Sequence, residues 1–126
     1  MTLKQILSAA AVALTVVGFA QSPANGQSSP QTITGYLVDV MCATGHASEG
    51  AAFGAKHDKA CLLMDSCVKS GYSVLTAENK VVKLDPKGNE LALALIKGTD
   101  RENDWRVSVT GTVTNDTITV TTLSLQ

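Results

Sequence analysis

The clearest constraint on the fold lies in the last twenty residues. Val107, Val109 and Val113 alternate with serine and threonine around Gly111, Asn115 and Asp116 supply a turn, and Ile118 and Val120 resume the alternation. A period of two with a central turn specifies a β-hairpin with one apolar face. The phase then slips, because Leu123 and Leu125 fall on odd positions where Ile118 and Val120 fall on even ones. A bulge near Thr121 or Thr122 restores a single buried face. Asn115, Asp116 and Thr117 also match a glycosylation acceptor, but the tight turn accounts for them without a glycan.

Residues 32–40 predict a first strand, with Ile33, Tyr36, Leu37, Val38 and Val40 apolar on both faces and Gly35 marking a bulge or sharp bend. The stretch 43–55 is made of small residues with Gly45, Gly50 and Gly54, and is expected to be a loop. Residues 56–70 predict one helix, carrying Ala60, Leu63, Met64 and Val68 near helical spacing and stopping at Gly71. Segments 72–76 and 80–85 predict a hairpin turning at Glu78 and Asn79. Asn89 is placed to cap a short helix over 90–97.

The resulting order is five strands, with one helix inserted after strand 1 and one between strands 3 and 4. A mainly β chain with helices in this order is that of an OB-like β-barrel, with an added loop and helix after its first strand. A twisted open sheet covered by two helices is the alternative.

The N-terminus sets the compartment. Residues 1–20 carry Lys4 as their only charge, an apolar run over 6–17, and small residues at the positions a signal peptidase reads. A secretory signal is expected, and with it a periplasmic or secreted protein. The apolar run is shorter than the roughly 20 residues of a membrane span. Gln21 rather than cysteine follows the signal, which argues against a lipid anchor, so no membrane association is expected after cleavage. Residues 21–31, with Pro23, Gly26 and Pro30, read as a flexible linker, leaving 32–126 as a single domain. The full chain has a net charge of −1 and becomes more negative by one when Lys4 leaves. Nothing supplies the basic face that nucleic-acid binding requires.

Chemistry concentrates between residues 42 and 67. Cys42, Cys61 and Cys67 are all the cysteines of the chain; His46 and His57 lie among them, with Met41 and Met64. An odd cysteine count in an exported protein leaves at least one thiol unpaired, shared between chains, or bound to something. On a continuous helix Cys61 and Cys67 stand about 9 Å apart in rise and cannot bond to each other. Cys42 is then the disulfide partner of one of them. The competing reading is a soft-metal site: His57 and Cys61, at i and i+4, face one ion, Cys42 and Cys67 add thiolates, and Met64 adds a thioether. Such a donor set favours copper or zinc over hard cations. A thiol redox role is disfavoured, because no Cys-x-x-Cys pair opens a helix. Asp39, Asp58 and Asp65 form no paired-carboxylate signature, and no catalytic residues are assigned.

Gly35, Tyr36, Leu37, Val38 and Asp39 ahead of Cys42, followed by His57, Cys61, Cys67 and Gly71 and by the 107–125 segment with Gly111, resemble a family of small exported bacterial proteins of uncharacterised function. The resemblance spans nearly all of the mature chain and implies an OB-like fold. Many members place three residues between their two helix cysteines, where this chain has the five residues 62–66, so no role for Cys67 is carried over. The expectation is an exported binding or structural module stapled by a disulfide, its partner a small ligand or protein, with the metal site as the alternative.

Overall fold

The computed structural model describes residues 29–126; the expected signal and most of the linker fall outside the described residues. The β-forming segments become β1 (Gln31–Asp39), β2 (Tyr72–Leu75), β3 (Val81–Leu84), β4 (Arg106–Thr114) and β5 (Thr117–Leu125). β1 pairs antiparallel with both β2 and β4, β2 with β3, and β4 with β5, while β3 and β5 run parallel. This is a five-stranded mixed sheet whose order, β1-β2-β3-β5-β4, closes on itself. The β3–β5 contact that completes this order is short, pairing Lys83 with Thr117 and Leu84 with Ile118.

The terminal hairpin forms as its alternation requires. Asn115 turns the chain with φ of 56°. Thr110 faces Thr122 while Gly111 faces Val120, so Thr121 is the extra residue of a bulge on β5. At Gly35 no bulge forms, since β1 runs in unbroken register through that position against β4. Glycine is needed there because a Cβ would lie 2.4 Å from the Leu75 carbonyl oxygen, where β1 passes from β4 to β2.

Leu37, Val74, Val107, Val109, Ile118 and Val120 fill the interior with Trp105, Leu62 and Ile96. The other face of β1 is apolar as well. Tyr36 and Val38 pack with Ala43, Leu75, Phe53 and Cys42 in a second cluster. The second half of β1, residues 36–39, is thus buried on both sides, and the second side exists because the β1–β2 connection folds back over it.

That connection departs most from expectation. In place of a loop over 43–55, α1 (Val40–His46), a 3₁₀ turn (Ala47–Glu49) and α2 (Gly50–Lys56) form. The small residues do not prevent packing; they permit close approach. A Cβ on Gly54 would sit 2.5 Å from the Tyr36 ring, so only glycine lets α2 lie against β1 at this distance. The expected helix over 56–70 is likewise replaced by α3 (Lys59–Leu62) and α4 (Asp65–Ser70), separated by an extended Met64 with ψ of 138°. Leu62 and Cys67 are both buried. On one straight helix they would point about 140° apart, and the break re-aims the second of them inward.

α5 (Pro86–Lys97) lies between β3 and β4. Its N-cap is Asp85 rather than Asn89, whose side-chain oxygen instead accepts the Tyr72 backbone N–H at 2.8 Å. Asp85 Oδ1 accepts from Gly88 N and from Val120 N, both at 3.0 Å, joining the helix start to β5. Asp85→Ala removes a cap and leaves a strand N–H unmatched. A loss of about 2 kcal/mol is expected, read as a lowered midpoint in urea unfolding with unchanged slope.

Candidate functional site

The site grows from the last residue of β1. Asp39 leaves the strand with extended backbone and serves as N-cap of α1, its Oδ2 accepting the Cys42 N–H at 2.9 Å. This bond is what starts α1, since a capping carboxylate satisfies an otherwise orphan amide. The same bond fixes Cys42 beside the carboxylate. Asp39 Oδ1 meets His57 Nε2 at 3.0 Å, and both side chains are almost wholly buried. With the carboxylate ionised, Nε2 donates.

His57 is delivered by the end of α2, where its N–H closes onto the Phe53 and Gly54 carbonyls. Its ring leans on Phe53 at 5.2 Å, and Phe53 in turn stacks flat on His46 at 4.2 Å. His46, paired with Glu49, is about half exposed and lies on the outer side of this stack. Gly54 against Tyr36 therefore sets how deep His57 reaches, because it sets how close α2 comes to the sheet.

Cys67 arrives on α4 and is 2 % exposed. Its thiol, the Cys42 thiol and an Asp39 oxygen all lie within 4.8 Å of one another, and these three are the only such group of His, Cys, Asp and Glu among the described residues. All three cysteines are free thiols, with Cys42 and Cys61 half-buried. Cys61 stands outside the group on α3, where its backbone N–H donates to the capping carboxylate of Asp58 at 2.8 Å. Met64 is 54 % exposed at the start of α4, not core.

Burial and then the Asp39 charge push the Cys42 thiol up to about 12. The same two causes, in the same order, raise Cys67. The Cys61 thiol is raised first by its bond to Asp58 and then by burial. In the metal-free protein all three are therefore protonated at neutral pH, which disfavours a thiolate nucleophile. Burial alone would push the Asp39 carboxyl up, but the His57 and Cys42 hydrogen bonds outweigh it and hold the group below its ordinary 3.8. Beneath the site, Tyr72 is pushed up to about 12 by burial and the Asp39 charge, its hydroxyl donating to the Leu62 carbonyl at 2.7 Å.

Of the residues singled out by sequence, the structure thus joins Cys42 with Cys67, places His57 one bond away through Asp39, and leaves Cys61 and Met64 to the side. The argument that excluded a Cys61–Cys67 pair assumed one continuous helix and falls with the break at Met64. Asp39 was passed over as a site residue. Its signal was the Asp39-x-x-Cys42 spacing of a capped helix, masked by reading 43–55 as loop. No protein-family model, curated protein or solved structure matches the chain.

His57→Ala strips one partner from a carboxylate with no solvent exposure and is expected to cost about 1–3 kcal/mol in chemical unfolding of the metal-free protein. Because the folded Asp39 carboxyl ionises more readily than the unfolded one, its stabilisation is fully present above about pH 4 and is lost as pH falls through the lower folded value. Asp39→Asn should therefore flatten the acid limb of stability against pH. An acid limb as steep as that of the unmodified chain would show that the carboxyl is not held as described.

Proposed function

We propose that this chain is an exported OB-like domain that binds one soft or borderline metal ion, zinc foremost, through Cys42, Cys67 and Asp39. The OB-like assignment is supported by the strand order and by α5 between β3 and β4. Both match the five-stranded barrel whose first connecting loop contributes to ligand binding. Here that connection carries the cysteines.

The observation that carries the reading is a wholly buried carboxylate set against two thiols. A disulfide alone needs only the two sulfurs and gains nothing from a buried charge, which is costly to desolvate. A cation accounts for all three groups. Zinc at about 2.3 Å from each sulfur sets tetrahedral sulfurs about 3.8 Å apart, and the two sulfurs already lie within 4.8 Å of each other. The carboxylate in the donor set favours Zn(II) over Cu(I), which prefers thiolate and thioether. Binding would release the thiol protons, so affinity rises with pH. His57, bonded to Asp39 Oδ1, would orient the carboxylate as partners of ligating groups do.

One equivalent of zinc is expected in competition with a chromophoric chelator, using the protein reduced and free of metal. Cys42→Ser and Cys67→Ser should each abolish stoichiometric binding, while Cys61→Ser keeps it. His57→Ala should weaken it about 10–100-fold through loss of the orienting bond. Absence of binding by the reduced chain, or its loss in Cys61→Ser alone, would refute the site.

A further inference from the structure

Cys42 and Cys67 are close enough to do something besides hold an ion. Their sulfurs lie within 4.8 Å. A disulfide requires about 2.05 Å, so the gap to close is at most about 2.8 Å, a distance within reach of χ1 rotation at two short helices. No other cysteine joins that group among the described residues. The two sulfurs also differ in access, Cys42 being half-buried and Cys67 buried.

We propose that Cys42 and Cys67 form a redox gate on the metal site: as thiolates they ligate the ion, and joined as a disulfide they exclude it. The inference rests on the reading of Asp39, Cys42 and Cys67 as ligands. The oxidant is a small-molecule disulfide of the glutathione class. Cys42, the accessible sulfur, protonated in the metal-free protein but a thiolate when it ligates the ion, attacks one of its sulfurs, forming a mixed disulfide and expelling one thiolate. Cys67 then attacks Cys42 Sγ, forming the internal disulfide and expelling the second. The two protein sulfurs lose two electrons and the oxidant gains them. From the zinc-bound state two protons are taken up by the departing thiolates, and the zinc ion leaves with its two positive charges.

The exclusion is chemical as well as geometric. A disulfide sulfur carries no negative charge and is a poor zinc ligand, so oxidation takes both thiolates away at once and leaves only Asp39. In the free-thiol protein Asp39 is bonded to His57 and to the Cys42 N–H, through atoms that a disulfide does not use. Oxidation therefore removes the ion without removing what shapes the site. Cys61 stays outside the reaction, which leaves one thiol in the oxidised protein.

The experiment compares zinc binding by the full chain reduced, after prolonged incubation with excess oxidised glutathione, and after re-reduction. Intact mass and peptide mapping follow each step, with Cys61→Ser run in parallel. Expected are a loss of two mass units on oxidation, a Cys42–Cys67 linkage, loss of stoichiometric zinc binding, and recovery of binding on reduction, all unchanged in Cys61→Ser. A reduced chain that binds zinc and an oxidised chain that binds it as well would overturn the gate alone. So would failure to form the linkage, or a linkage through Cys61. A reduced chain that binds no zinc would overturn the metal site and the gate with it.

Discussion

The Asp39 carboxylate is the junction on which the rest of this structure depends. One oxygen starts α1 by capping it, the other holds His57 from the end of α2, and the group faces the thiols of α1 and α4. Three of the four short helices in the β1–β2 connection are thereby referenced to one side chain at the end of a strand. A buried charge is tolerable only when its hydrogen-bonding capacity is met, and no buried side-chain nitrogen or oxygen is left unpartnered among the described residues. The same arrangement makes the place electrostatically unusual. A negative charge surrounded by protonated thiols attracts a cation more than it tolerates a further anion.

The sheet supplies the rigidity that such a junction needs. β1 is held on both edges, by β4 along its first half and by β2 along its second, and its C-terminal end cannot drift without breaking either. Tyr72, opposite Asp39 in the β1–β2 register, anchors the floor of the site through its bond to Leu62. The connection is tied to the far side as well. Lys59 donates through its backbone to Glu102 and through its side chain to Thr99, both in the segment between α5 and β4.

How much was legible in the sequence follows from which physical signal each element carried. The β4–β5 hairpin announced itself, including the bulge at Thr121, because period-two alternation and a slip in phase are written directly in residue type. The short helices did not, because helical periodicity needs several turns to show and none of the four exceeds seven residues. Glycine and alanine in 43–55 were read by propensity, which counts their entropy cost and misses the close packing they allow. Gly54 against Tyr36 is visible only once the two segments are in contact. The cysteines were conspicuous, but their grouping was not: Asp39, the residue that organises them, sits at a strand end, and its partners lie three, 18 and 28 positions along the chain.

Helices of four to seven residues are not stable on their own, since nucleation costs more than so few bonds return. The β1–β2 connection therefore exists as structure only through its tertiary ties, and the Cys42–Cys67 pair spans nearly all of it. A covalent bond across this span would stabilise the folded chain by about 3.5 kcal/mol in the chain-entropy model. A metal ion held by the same sulfurs would contribute its binding free energy to the same end, because the unfolded connection presents no assembled site. A staple and a metal ion would thus be two ways of closing one loop, and either would set how firmly α1 and α4 are held to the sheet. For a domain this small, the chemistry of two thiols and the folding of a third of its described residues are a single problem.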